Sequence, residues 1–201
     1  MDELDLLDFK RRIAELYAEV RAASDPPAGR ERWRLAREEL FRTHPQSPIP
    51  AAQRAAYGGP FLYPYDPAWR LLADVSPAEA ERFELPSSDG ATMAFTRFAV
   101  ARAGEVELTL YWLEGYGGGL FVPFADATSG EETYGAGRYV LDTVKGADLG
   151  TEDGRLVLDL NFAYQPSCSY DPRWTCPLAP PANRLAVEVR AGERVGALPM
   201  G

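Results

Sequence analysis

The chain has 201 residues, of which 46% are hydrophobic and 25% charged, and its formal net charge is −9. This composition belongs to a globular chain able to bury a core, and a strand-dominated chain of this size forms one domain. The acidic excess repels phosphate backbones and anionic lipid surfaces, so neither nucleic acid nor a membrane is an expected partner.

Met1 to Phe9 carries Asp2, Glu3, Asp5 and Asp8 where a secretory signal needs basic residues and then an unbroken apolar run. The longest apolar runs fall far short of the ~20 residues that cross a bilayer. Two cysteines are too few for a disulfide scaffold. The expectation is a cytoplasmic protein whose mature chain starts here.

Phe9, Ile13, Leu16 and Val20 recur at helical spacing and predict an amphipathic helix over Leu4 to Arg21. Ser24, Asp25, Pro26 and Pro27 end it. A second helix is predicted over Arg30 to Arg42, with Trp33, Ala36 and Leu40 on one face. Its Arg30, Arg32, Arg34 and Arg37 alternate with Glu31, Glu38 and Glu39, which reads as a solvated face laced by intrahelical ion pairs. From Pro45 to Pro67 prolines and glycines forbid long regular structure. Tyr57, Phe61, Leu62, Tyr63, Tyr65 and Trp69 nevertheless carry too much apolar area to stay in water, so the segment is expected to cross the β region as an ordered strap.

After Phe83 the period becomes two. Strands are predicted through Met93 to Val100 and Val106 to Leu113, joined by a hairpin turn at Arg102 to Glu105, then at Gly119 to Phe124, Glu132 to Asp142, Arg155 to Ala163 and Leu185 to Arg190. Gly135 and Gly137, placed on one strand, favour tight curvature and hence a barrel over a flat sandwich. The Tyr116 to Gly119 run is a turn or bulge and lacks the Lys-Ser/Thr and helix of a phosphate-cradling loop. The fold class is α+β, mainly β: N-terminal helices packed on an antiparallel β-barrel or sandwich of about six to eight strands. One domain is expected over 1–201, with helices in 1–44, the strap in 45–82 and the barrel in 83–201.

Several phrases resemble the signature blocks of a bacterial and archaeal family known as the domain of unknown function 1684. They are Phe41 to Pro48, Tyr63 to Pro67, Tyr111 to Gly119, Phe124 to Gly130, Glu132 to Tyr139, and Leu158 to Cys168 followed by Cys176-Pro-Leu. The resemblance spans most of the chain and implies no established activity, ligand or catalytic residue.

Four groups of residues are candidates for chemistry. Asp159 and Asn161 stand on a strand that is otherwise apolar on both faces, so they either point into an enclosed space with partners such as Arg97, Arg138 or Tyr134, or close a buried ion pair, or face solvent. Glu114, Asp126, Glu131 and Glu132, with Arg138, form an acidic rim; converging carboxylates act as acid and base or hold a hard cation, whereas Asp126 to Gly130 also fits an ordinary Asx-type turn. His44 is the only histidine, and it reads as a general base or as a cap on the preceding helix. Cys168 and Cys176 read as buried free thiols, a disulfide, or half of a metal site completed by His44 and a carboxylate.

The leading expectation is a small-molecule-binding β-barrel capped by Tyr57 to Trp69, with Tyr111, Trp112, Tyr134, Arg138, Asp159 and Asn161 lining the pocket, and with no cofactor or bound metal. One alternative is a cofactor-independent enzyme using an acid–base pair drawn from His44, Glu114 and Asp126. The other is an interaction module that meets a partner or a second copy of the chain, as in a homodimer, through an edge strand or the first helix.

Overall fold

In the computed structural model, which describes residues 2–88, 90 and 92–196, helix α1 spans Asp2–Ala22 and helix α2 spans Pro26–Thr43. Helix α1 turns Ile13, Leu16 and Tyr17 into the core, with Phe9 and Val20 partly buried beside them. The Asp25-Pro-Pro run that ends α1 also begins α2. Pro26 occupies the first turn, where a missing N–H costs nothing, so α2 starts four residues before the predicted Arg30.

The solvated face predicted for α2 is only partly there. Arg34 pairs with Glu31 at 2.7 Å and Glu38 at 3.0 Å, but Arg30 and Arg37 are buried. Arg30 donates to the carbonyl of Tyr63 in the strap, and Arg37 reaches Glu193 at 2.6 Å. Residue 37 lies four places from both Trp33 and Phe41, so helical geometry puts it on their buried face.

Between α2 and the sheet the chain forms 3-10 turns at Ala51–Ala56 and Pro67–Trp69, joined by extended chain. This strap is pinned at several points. Leu62 bridges antiparallel to Glu193, and Tyr63 N–H donates to Gly192 O at 3.0 Å. The Asn161 amide accepts from Asp66 N–H at 2.9 Å and donates to Asp66 O at 2.8 Å, as a neighbouring strand would. Tyr57 and Tyr63 are buried, which accounts for the density of aromatics in a segment without long regular structure.

Among the described residues the sheet has seven antiparallel strands: β1 (Arg70–Pro86), β2 (Thr92–Ala103), β3 (Val106–Leu113), β4 (Gly119–Phe124), β5 (Arg138–Asp142), β6 (Thr151–Glu152) and β7 (Arg155–Asp159), in the order β5-β4-β3-β2-β1-β7-β6. It curls into a half-barrel, and a bridge between Tyr139 and Tyr164 joins β5 to the chain just beyond β7. The core includes Phe95, Leu108, Tyr111, Phe121, Val140, Leu141 and Leu158, all at most 1% exposed. Among the described residues no helix is long and apolar enough to cross a membrane.

Several strand expectations need correction. The sheet begins at Arg70, not after Phe83. Beyond Ala73, β1 has no recorded ladder with β7 and its side chains are largely exposed, so Asp74 to Arg82 shows no apolar alternation to read. The strand expected at Glu132 is formed only from Arg138. Gly135 and Gly137 sit in the preceding turn, where Gly137 has φ +94° and an added Cβ would meet the Phe124 carbonyl at 2.5 Å. Curvature comes instead with register shifts at Pro77/Glu81, Arg97/Ala99 and Val122/Pro123. The strand expected through Ala163 stops at Asp159 and gives way to a 3-10 turn at Leu160–Phe162. Leu185 to Arg190 is irregular chain outside the sheet, bent at Ala186 and Val187 and tied to Ala125 and Ala127 by single backbone bonds. Of the span expected as barrel, 89, 91 and 197–201 lie outside the described residues.

Candidate functional site

The strap leaves a cleft of about 470 Å³ along its edge. One wall is the 3-10 turn Ala51–Ala56, which contributes Ala52, Gln53 and Ala56, with Ile49 just before it. The opposite wall is Gly58 to Phe61 and the segment Arg194 to Gly196, held together by Arg194 N–H donating to Phe61 O at 2.9 Å. Gly59 has φ +97°, a conformation that suits glycine, and this turns the chain back toward that wall. The floor is Tyr57 and Tyr170, whose rings meet edge-on at 6.4 Å and both pack against Phe41. Gln165, Ser169 and Arg194 supply polar groups. Arg194 is exposed, and among the described residues no ion pair joins it to a carboxylate.

The sequence-derived candidates lie elsewhere and do not form one site. Tyr111 is buried against Phe83 and Phe95, whereas Trp112, the next residue along β3, points outward, 45% exposed, beside Phe98. Arg138 is enclosed: its guanidinium bonds Asp126 at 2.5 Å, Val189 O at 2.9 Å, Glu193 O at 3.0 Å and Ala191 O. Asp126 also accepts from Thr128 N–H at 2.7 Å, so it is at once an Asx-type turn and half of a buried ion pair. Asp159 and Asn161 clip the strap. Asp159 takes bonds from Asn161 N–H at 3.0 Å and Tyr65 OH at 3.3 Å, with Arg70 at 4.0 Å, and burial raises its pKa. Arg97 instead pairs with Glu81 at 2.9 Å.

His44, Glu114 and Asp126 share no hydrogen-bond partner. His44 faces Asp8 at 3.2 Å and accepts from Gln46 N–H at 3.0 Å, so its ring ties α1 to the turn after α2, and its backbone N–H continues the helix to Leu40 O. Glu114 pairs with Arg82 at 2.8 Å and accepts from Thr96 at 2.7 Å. Among the described residues no three His, Cys, Asp or Glu side chains gather to hold a metal ion. Cys168 and Cys176 are both buried and unbridged, and the Tyr134 hydroxyl lies 3.8 Å from the Cys168 sulfur.

Glu132 ties the cleft's outer segment to the rim. Its carboxylate binds Arg190 at 2.7 Å and Tyr63 OH at 2.9 Å, and its backbone carbonyl accepts from Val195 N–H at 2.9 Å. The Arg190 bonds, then Tyr63, lower its pKa from the ordinary 4.5 to about 2. A depressed acid binds protons more readily in the unfolded chain, so its stabilisation is complete above 4.5 and is lost as pH falls toward 2. Urea midpoints of Glu132→Gln should therefore fall less steeply between pH 4.5 and 2 than those of the parent, and less distinctly at high salt. Parallel curves would show that the pair contributes nothing.

The strap is visible in the sequence as ordered chain, but the cleft at its edge is not. Its aromatics were read as a roof over a pocket in the barrel, whereas Tyr57 and Phe61 line a cleft at the strap's own edge.

A family model described as "Protein of unknown function (DUF1684)" matches residues 55–194. A solved structure that resembles the chain is the solution NMR structure of an uncharacterized protein of Haloarcula marismortui, with 33% identity, a TM-score of 0.55, and coverage of 84% of this chain and 91% of that one. No curated protein matches.

Proposed function

The chain belongs to the DUF1684 family of proteins of unknown function, and on that premise we propose that it binds a small molecule with an apolar body and an anionic end in the cleft between the strap and the turn that carries Ser169. The observation that carries this reading is the cleft. Its volume of about 470 Å³ lies within the ~300–1,000 Å³ range of small-molecule sites. Ile49, Ala52, Ala56, Pro60, Phe61 and Val195 supply apolar surface, and Tyr57 and Tyr170 close the floor. A ligand displaces water from that surface, which drives entry. Arg194 at the mouth fixes orientation by a charge-assisted bond to a carboxylate, sulfonate or phosphate.

The test uses 8-anilinonaphthalene-1-sulfonate, a probe with both features, in a fluorescence titration of the native protein. Saturable one-to-one binding is expected. Ala56→Trp should abolish it by filling the cleft, and Arg194→Gln should weaken it about tenfold, or ~1.4 kcal/mol. Far-UV circular dichroism and the urea midpoint should be nearly unchanged in both variants. Binding that survives Ala56→Trp would refute the reading.

A further inference from the structure

Cys168 and Cys176 sit at the two ends of one loop, and the fold brings the Cys176 sulfur against the backbone of Cys168. The loop is clamped to Ser88, whose N–H donates to Cys176 O at 2.9 Å and whose hydroxyl accepts from Cys176 N–H at 3.0 Å and donates to Trp174 O at 2.8 Å. At its other end Cys168 N–H points at the Cys176 sulfur at 3.4 Å. The Tyr134 hydroxyl approaches the Cys168 sulfur at 3.8 Å. A thiol that merely fills core volume is surrounded by apolar groups, whereas Cys168 is met by a hydroxyl and Cys176 by a backbone N–H.

We infer that Cys168 and Cys176 form an oxidant-reactive dithiol, in which Cys168 attacks a hydroperoxide and Cys176 closes a disulfide. The assignment of roles follows from access: Cys168 is 9% exposed and Cys176 1%. In the first step the Cys168 thiolate bonds to one peroxide oxygen and the O–O bond breaks. The other oxygen leaves as alkoxide or hydroxide and takes a proton from water, and Cys168 becomes a sulfenic acid. The Cys176 sulfur then attacks the Cys168 sulfur, its proton goes to the departing oxygen, and water leaves as the disulfide forms. Two thiols and one hydroperoxide give a disulfide, an alcohol or water, and a water; sulfur loses the two electrons that the peroxide gains.

Electrostatics agree with these roles. The Cys176 thiol is the largest influence on Cys168 and, with Tyr134 and against burial, lowers its pKa to about 6. Cys176 is pushed up and stays protonated. The other titratable groups facing the pair are Tyr134, raised to about 12 by burial, Tyr139, raised further, and Lys145 on the Cys176 side.

The inference is independent of the cleft and is tested on the native full chain with hydrogen peroxide. Intact-mass analysis should show the loss of two hydrogens, reversed by dithiothreitol. Cys176→Ser should instead accumulate a dimedone-reactive sulfenic acid at Cys168, and Cys168→Ser should form neither product. Iodoacetamide labelling of Cys168 in the unmodified protein, which needs no variant, should reach half its plateau rate near pH 6. Two free thiols surviving peroxide, or half-maximal labelling near the ~8.5 of an ordinary thiol, would overturn it.

Discussion

Asp126→Asn is expected to lower the free energy of unfolding by about 3–5 kcal/mol, the range for breaking a buried ion pair by removing one charge. The substitution keeps shape and leaves an oxygen for Thr128 N–H, so the loss isolates the charge. Arg138, 1% exposed, remains ionised with no anion in contact. Replacing the pair with apolar residues would not rescue stability, because the guanidinium also satisfies the carbonyls of Val189, Ala191 and Glu193. These three alternate residues belong to the segment that sequence reading placed near the last strand. An arginine from β5 thus takes the place of a neighbouring strand on that side of the chain. Urea denaturation measures the effect, and a loss below about 1 kcal/mol would mean that the pair is no more than a solvated contact.

Glu193→Ala should cost a similar ~3–5 kcal/mol for a related reason. Glu193 is fully buried, 2.6 Å from Arg37, and its second oxygen accepts from Gln165 N–H at 2.7 Å and Tyr170 OH at 3.1 Å. Removing it leaves three donors without their anion. Arg37 keeps the rings of Trp33, Phe41 and Tyr164, each within 5 Å, but ring faces compensate a buried cation only in part. The double replacement Arg37→Met with Glu193→Leu should recover part of the loss and not all of it, since Gln165 and Tyr170 still lack an acceptor. Gln165 and Tyr170 line the cleft, so Glu193→Ala should also weaken probe binding. A double variant as stable as the parent would contradict this account of Glu193.

The Arg37–Glu193 pair joins residues 156 positions apart and is not legible in the sequence, whereas Asp126 and Arg138 lie 12 positions apart and are grouped by the sequence, which does not show their burial. Strong local periodicity was readable: both helices, the β2–β3 hairpin and the bounds of β4 follow from spacing and turn residues alone. β1 was not readable over its exposed half, because a strand that buries neither face there carries no alternation. Arg37 was assigned to the solvated face by its charge although its spacing from Trp33 and Phe41 put it on the buried one. For Asp159 and Asn161 the sequence leaves an enclosed space, a buried ion pair and solvent open; Asn161 bonds the backbone of Asp66 and Asp159 accepts from Tyr65 OH, and no local pattern announces a side chain that substitutes for a strand. The aromatic strap was legible as ordered chain. Its cleft was not, because the far wall comes from residues 194–196, over a hundred positions away in sequence.

Methyl-resolved NMR of the native chain during titration with 8-anilinonaphthalene-1-sulfonate addresses the cleft most directly. Shifts confined to Ile49, Ala52, Ala56 and Val195 are the expected result, with Leu108, Val140 and Leu141 in the core unmoved. Shifts centred on those three core residues, or none at saturating probe, would contradict a binding site at the strap's edge.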